Sequence, residues 1–149
     1  GDGWIIREYT EKDLLVIKDL SSPSSPIKPF PLKSCLIEED YPVWDSGDIP
    51  TEIEDELAEM EDQEEITDYC DYTECYSGHK IGGYPAFTQW DPRKEDTKYD
   101  FLLLQLDSEF GNGDEKIMWG DAGICGFFIN RQKLKNLDFD DVIYNWDCC

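Results

Sequence analysis

The sequence predicts a single α+β domain built mainly on antiparallel sheet, and three features of the 149-residue chain support this class. Short apolar runs such as FLLLQLDSE and IMWGDAGICGFFI alternate with glycine turns and polar loops, which is typical of strands joined by tight connections. An amphipathic pattern over residues 51–62 predicts one acidic helix. Four prolines between residues 23 and 31 fix the backbone and remove donors, so they predict an extended Pro-rich strap.

We expect three segments within this single domain of residues 1–149. An N-terminal arm covers residues 1–33, an acidic helical segment covers residues 38–76, and the sheet-forming region covers residues 79–149. The chain begins at Gly1 without a methionine, so we expect it to be an excerpt of a longer protein.

The helix is predicted to begin directly after Pro50, because Thr51 and Glu54 have the spacing of a capping box. Ile53, Leu57 and Met60 recur at helical spacing, so we expect them to face the core as one apolar stripe. The carboxylates on the other faces are expected to face water. Four of them are the candidate partner-binding residues Glu52, Glu56, Glu59 and Asp62.

Charge is the strongest compositional signal. Thirty-five acidic against thirteen basic residues give a formal net charge of -22, which repels nucleic-acid backbones and anionic lipid headgroups. We therefore expect no binding to nucleic acid or membranes, and a cytoplasmic location. From Ser34 through His79 there are seventeen acids and no Lys or Arg. This stretch is either a solvated face that keeps the protein soluble or a surface that attracts a basic protein.

The sheet-forming region contains one run, FLLLQLD, that alternates poorly between apolar and polar residues. This pattern favours a central strand covered on both faces. Gln105 and Asp107 lie at its end, where a buried amide or carboxylate could fix neighbouring turns or bind a ligand. The run IMWGDAGICGFFI indicates two strands joined as a hairpin through a glycine turn. Asn130 is expected to cap a short turn, and a last strand is expected to end at Asp147.

Three aspartates are candidate catalytic residues. Asp107, Asp121 and Asp147 each end or bend a predicted strand beside a turn, and carboxylates converging at one sheet edge could bind a divalent ion or act as acid and base. The alternative is that they accept hydrogen bonds from backbone amides in tight turns, a common role of aspartate. No nucleophile and base pair accompanies them, which favours the second interpretation.

The cysteines allow a weak metal hypothesis. Cys70, Cys75 and the single histidine, His79, are ligand types that zinc prefers, but their spacing does not match the usual zinc knuckle. We expect ordinary reduced thiols, no metal and no cofactor, with a Cys70–Cys75 disulfide as a minor alternative.

Four ordered motifs, GGYPAFTQ, LLLQLDSE, WGDAGICGFFI and LKNLDFDDVIYNWDC, resemble the YwqG-like bacterial domain family of unknown function. The resemblance is close over residues 79–149 and loose before them, so the chain looks like the C-terminal portion of such a protein. It implies an α+β structure on antiparallel sheet, with no established activity. More distantly, GGYPAF is similar to a step in eukaryotic chaperones related to programmed cell death protein two, and YwqG-like domains are suspected toxin-immunity proteins.

These observations together predict a non-catalytic protein-binding module. Its acidic surface is expected to engage a basic partner over the segment Glu38 to Glu74, in a chaperone-like or toxin-immunity-like role. The alternative is a hydrolase or metal-dependent enzyme that uses the three clustered aspartates.

Overall fold

The structure is a computed structural model that describes residues 32–44, 48–69, 77–93, 98–111 and 114–148, with the single residues Ile6, Thr10, Lys12 and Thr73. Most of the N-terminal arm and of the Pro-rich strap lie outside the described residues, as do Cys70 and Cys75. The α+β class with antiparallel sheet is confirmed. In the part of the chain that is described, no helix combines the length and apolarity that crossing a membrane requires.

The described elements are two helices and five strands. In chain order they are α1 (Thr51–Asp62), β1 (Phe101–Asp107), β2 (Glu109–Gly111), β3 (Asp114–Ile117), β4 (Ile124–Ile129), α2 (Arg131–Lys135) and β5 (Val142–Asp147). Strands β1, β4 and β5 form one antiparallel sheet with β4 in the centre, while β2 and β3 form a separate two-stranded ribbon.

Among the strands that the structure describes, β1 lies at the end of the sheet order, so the expectation that it is a central strand is not met in this part of the chain. Its poor alternation has another cause. The register with β4 shifts between Leu102 and Leu104, which leaves Leu103 as a bulge and places Leu102 and Gln105 on the same face. Both of these side chains are buried. Beyond β1, one isolated bridge joins Gln105 to Lys80.

The predicted hairpin between β3 and β4 is also wrong, because β3 pairs with β2 and β4 pairs with β1 and β5. The glycine turn between them carries the chain from the ribbon to the sheet. Gly123 is needed there, since a Cβ at this position would lie 1.8 Å from the Asp147 carbonyl oxygen. The turn is therefore a close approach between two backbones rather than a hairpin loop.

Part of the core lies on the sheet face that carries Leu102, Gln105 and Phe128, while Cys125 and Ile129 are buried on the opposite face. The chain after the Gly-Gly turn covers this face: the Phe87 and Phe128 rings stack with centroids 6.0 Å apart. Arg93 lies over the Phe128 ring at 5.2 Å from its centroid. This face of the sheet is therefore covered by irregular chain rather than by a helix.

Arg93 also joins the sheet to the acidic segment. Its guanidinium donates to Asp91 at 2.6 Å and to Asp48 at 3.0 Å. Burial alone would lower the pKa of Arg93, but the hydrogen bond to Asp91 and the charge of Asp48 raise it above its ordinary value. A permanently charged guanidinium thus holds residue 48, just before α1, against the core.

The two helices begin in different ways. Asn130 caps α2 as predicted, because its side chain accepts from the backbone N–H groups of Gln132 at 2.9 Å and Lys133 at 3.2 Å. Helix α1 has the predicted bounds, but the N-cap is Pro50 and no side chain caps it, so the predicted capping box does not form. Thr51 is already the first helical residue, one position too late to cap.

Candidate functional sites

The acidic helix surface consists of Glu52, Glu56, Glu59 and Asp62 on α1. All four side chains are exposed, as predicted, and their spacing of four, three and three residues places them on one side of the helix. None of them forms an ion pair with a residue that the structure describes. The four carboxylates therefore present their charge to solvent.

The apolar stripe of α1 is only partly covered, whereas the sequence predicted that it would face the core. No residue of α1 is buried, Ile53 is 47% exposed, and Leu57 and Met60 are only partly covered. The buried residues of this region flank the helix instead: Ile49 lies before it and Tyr69 after it. Part of the stripe, above all Ile53, is thus exposed to solvent.

Tyr69 holds the chain after α1 in place. Its hydroxyl donates to the carbonyl oxygen of Pro42 at 3.0 Å, and its ring lies 5.4 Å from the ring of Trp44. Its backbone N–H donates to the carboxylate of Glu61 at 3.3 Å. These contacts form a small cluster beside the helix, so α1 is anchored at its ends and open along its length.

Asp147, at the end of β5, holds a turn of the backbone. One carboxylate oxygen accepts from the Thr88 hydroxyl at 2.6 Å, and the carboxylate also accepts from the N–H groups of Thr88, Gln89 and Trp90 at 3.2 to 3.4 Å. The residue is buried. Its carboxylate is therefore occupied by the chain itself, which matches the turn-forming alternative.

Asp107 lies at the same end of the sheet and makes similar contacts. Its carboxylate accepts from the N–H groups of Gly78 at 2.9 Å and Ser108 at 2.7 Å. Asp107 and Asp147 pair with the same residue, Ile124, from opposite sides. They are two strands apart, so their backbones are separated by about 10 Å.

Asp121 lies in the exposed turn before β4, at this same end of the sheet. The structure therefore brings all three aspartates to one end, but the Asp107 and Asp147 carboxylates bind different backbone segments. Among the described residues, no group of three His, Cys, Asp or Glu side chains is placed to hold a metal ion. A catalytic role for the aspartates stays a prediction.

His79 connects Asp107 to the ribbon. Its Nδ1 accepts from the backbone N–H of Asp107 at 3.0 Å, so Nδ1 carries no proton and the neutral ring is protonated at Nε2. Nε2 lies 3.1 Å from Glu109 and donates to it. The hydrogen bonds from Lys116 and then His79 lower the pKa of Glu109. Both ring nitrogens of His79 are thus engaged, while the zinc hypothesis stays untested because Cys70 and Cys75 are not described.

Gln105 fixes the Gly-Gly turn, as the sequence predicted for a buried amide at this position. Its side chain donates to the carbonyl oxygen of Gly78 at 2.9 Å and accepts from the Ala86 N–H at 2.8 Å. Its backbone exchanges two hydrogen bonds with Lys80, at 3.1 and 2.8 Å. One buried residue thereby binds both sides of the turn.

A buried ion pair that the sequence did not reveal lies beside this turn. Lys80 donates to Asp40 Oδ2 at 3.2 Å, and the two side chains are 5% and 14% exposed. The same oxygen accepts from the Tyr84 N–H at 2.8 Å. Asp40 is one of seventeen acids in its segment, and nothing in the sequence distinguishes it from the others.

These contacts define an acidic α+β domain. Two carboxylates at one end of its sheet hold backbone turns, and the acidic helix surface of α1 is exposed to solvent. The chain belongs to a family described as a domain of unknown function, DUF1963, whose profile matches residues 10–148. Membership of an uncharacterised domain family is thus confirmed, while the YwqG-like assignment stays a prediction. A search among curated proteins found no match.

Proposed function

We propose that the chain is a non-catalytic protein-binding module that engages a basic partner protein through α1. The observation that carries the proposal is that no residue of α1 is buried: the helix presents four exposed carboxylates on one side and a partly exposed apolar stripe on another. A stripe of this kind normally packs on its own domain. Its exposure supports a role in contact with another molecule.

The charge of the chain supports a basic partner. The net charge of -22 and the stretch of residues 34–79 without Lys or Arg create a negative field around α1. Such a field speeds up the encounter with positively charged proteins and disfavours acidic ones. Because exposed charges are screened over about 8–10 Å at physiological salt, the attraction weakens as ionic strength rises.

The expected partner surface is both basic and apolar. Lys or Arg side chains would pair with Glu52, Glu56, Glu59 and Asp62, while apolar side chains would cover the stripe of Ile53, Leu57 and Met60. The carboxylates supply steering and orientation, and the stripe supplies most of the binding free energy. Chaperone-like and toxin-immunity-like roles both belong to this class of function.

Capture of proteins from a lysate at two ionic strengths tests the proposal when two matched variants are included. The variant Glu56→Gln/Glu59→Gln removes two charges from α1, and Asp121→Asn/Asp140→Asn removes two exposed charges elsewhere. We expect basic proteins to be captured at low salt, and roughly three- to tenfold less of them by the α1 variant than by the control.

A further variant, Leu57→Ser, separates the stripe from the charges. We expect it to weaken capture at both ionic strengths, because apolar contact is screened little by salt. Capture that does not depend on salt, captured proteins that are not basic, or equal loss in the α1 variant and its control would each contradict the proposal.

A further inference from the structure

One edge of the three-stranded sheet, the outer side of β5, has no strand beside it in the described part of the chain. On its inner side β5 pairs with β4, and no described residue forms a backbone hydrogen bond with its outer side. We propose that this edge binds an extended, basic segment of a partner protein, which adds a further strand to the sheet. The proposal concerns β5 and holds whether or not α1 binds a protein.

The hydrogen bonds of β1 show which backbone groups of β5 point outward. Gln105 exchanges both of its backbone hydrogen bonds with Lys80, so it has none left for its partner on β4, Gly126. In an antiparallel sheet, Gly126 then directs its own backbone groups to its partner on the other side, Asn145. This direction alternates along a strand, and β4 and β5 pair without a register shift. The N–H and C=O groups that point away from the sheet are therefore those of Val142, Tyr144 and Trp146.

The opposite edge of the sheet is protected, whereas the edge of β5 is not. On the outer side of β1, Gln105 bonds to Lys80, and the Leu102 carbonyl oxygen accepts from the Gly82 N–H at 3.0 Å. The bulge at Leu103 also interrupts that edge. Native proteins commonly shield an edge by covering it, or by a lysine, a proline or a bulge in the strand itself. The six residues of β5, VIYNWD, include no lysine or proline, and their register is regular. Such an edge is a template for another strand.

Aromatic side chains flank this edge on one face of the sheet. Trp146 is 45% exposed, and its ring lies 6.5 Å from the ring of Trp119. The ring of Tyr144, two residues earlier on the same face, lies 4.9 Å from that of Phe127. Exposed aromatic residues are enriched where proteins bind one another. An added strand would place its side chains directly beside Tyr144 and Trp146, where β-branched and aromatic residues pack well.

The charge of the chain favours a basic segment. Residues 136–149 contain four acids and no Lys or Arg, and the net charge of the chain is -22. The cations Lys98 and Lys133, near the start of β5, both pair with Asp141. The edge therefore lies in a negative potential that attracts a basic segment and repels an acidic one. A second copy of the chain carries the same charge, which disfavours the pairing of two β5 edges.

Amide hydrogen exchange of the unmodified chain, followed by NMR, tests whether the edge is accessible. The N–H groups of Tyr144 and Trp146 should exchange at least about tenfold faster than those of Ile143 and Asn145, which bond to β4. Slow exchange of Tyr144 and Trp146 would mean that another part of the chain already covers the edge, and the proposal would then be wrong.

Three peptides with capped ends test the chemistry of the occupant: KVKVKV, EVEVEV, and KVKVKV in which every backbone nitrogen is methylated. We expect KVKVKV to slow the exchange of the Tyr144 and Trp146 amides and to bind at least about tenfold more tightly than EVEVEV at low salt. The methylated peptide keeps the charge but has no backbone donors, so it should not slow this exchange. Absence of protection by KVKVKV, or equal effects of either other peptide, would overturn the proposal.

Variants locate the site. Trp146→Lys puts a lysine on the edge, as native proteins do to block strand pairing, and should weaken the binding of KVKVKV there by at least about fivefold. Phe110→Lys is the matched control, because Phe110 is an aromatic residue of β2 that is 60% exposed, and it should change binding by less than about twofold. Equal effects of the two substitutions would refute the location.

Two further measurements keep the test decisive. If Trp146→Lys fails to fold because Trp119 loses its ring contact, amide exchange in the unmodified chain with the three peptides still decides. The α1 variant Glu56→Gln/Glu59→Gln should leave the protection of the Tyr144 and Trp146 amides by KVKVKV in place. Loss of that protection in the α1 variant would show that the peptide binds at α1 rather than at the edge of β5.

Discussion

The sheet region after residue 77 and the acidic segment around α1 use the same residue types in opposite ways. In the sheet region, Asp107 and Asp147 turn their carboxylates onto backbone amides, and Leu102 is 1% exposed. In α1, the carboxylates of Glu52, Glu56, Glu59 and Asp62 meet solvent and no leucine, isoleucine or methionine is buried. Asp107 and Asp147 are thus part of the fold, whereas these four carboxylates are part of the surface.

This difference separates the residues that stabilise the fold from the residues that are free to bind a partner. A buried carboxylate that satisfies several amides cannot be removed without leaving donors unpaired. An exposed helix contributes little to the core, so its sequence is free to serve a partner. We therefore expect the functional residues of this molecule to be exposed residues that contribute little to the stability of the fold.

The largest expected contrast is between two leucines. Leu102→Ala should lower the free energy of unfolding by about 2–5 kcal/mol, because it removes a fully buried side chain and leaves a cavity. Leu57→Ala should lower it by about 1 kcal/mol or less, since Leu57 is partly covered and alanine favours the helix. Urea denaturation followed by fluorescence measures both. A similar loss in the two variants would show that α1 packs on the core.

A second contrast concerns two aspartates at the same end of the sheet. Asp147→Ala removes the acceptor of three backbone N–H groups and one hydroxyl, so we expect a loss of about 3 kcal/mol. Asp121→Ala, in an exposed turn, should change stability by less than about 0.5 kcal/mol. Thermal or chemical denaturation gives both values. A stable Asp147→Ala variant would leave its carboxylate without a structural role and would favour the enzyme alternative.

The same contrast explains which parts of the structure were predictable. Signals in the local sequence were enough to predict the bounds of α1, the Asn130 cap and the end of the last strand at Asp147. They also sufficed for Gln105, because a lone amide inside an apolar run needs buried partners. The bounds of α1 and the Asn130 cap rest on residues close together in the chain.

The wrong predictions concern contacts between distant residues. Strand β3 pairs with β2 rather than with β4. Which strands become neighbours depends on how distant parts of the chain pack together, and the apolar periodicity of a single strand does not determine it. Because of the bulge at Leu103, apolar residues follow one another in β1, and this sequence pattern is the same as that of a strand buried on both faces. The pair of Lys80 and Asp40 joins residues 40 positions apart, so no spacing rule reveals it.

The smallest expected contrast is between two thiols, Cys125 in β4 and Cys35 in the exposed segment before α1. Burial of Cys125 raises its pKa from 9.0 to about 12, against a smaller opposing effect of its hydrogen bond with Tyr144. Cys125 should therefore resist iodoacetamide at pH 8 in the folded chain, whereas Cys35 should react, as mass spectrometry of the peptides would show. Equal labelling of the two would contradict the burial of Cys125.

The raised pKa of Cys125 also makes stability depend on pH. In the unfolded chain this thiol ionises near 9, while the folded chain keeps it protonated up to about 12, so the unfolded state binds fewer protons between these values. The free energy of unfolding should therefore fall by about 1.4 kcal/mol per pH unit above pH 9 through this group alone, and be unaffected by it below. Denaturation at pH 8, 9 and 10 should show a shallower fall in Cys125→Ala than in the unmodified chain, and Cys35→Ala, which removes an exposed thiol, is the control variant. Equal slopes in Cys125→Ala and the unmodified chain would mean that Cys125 ionises as readily in the folded sheet as in the unfolded chain.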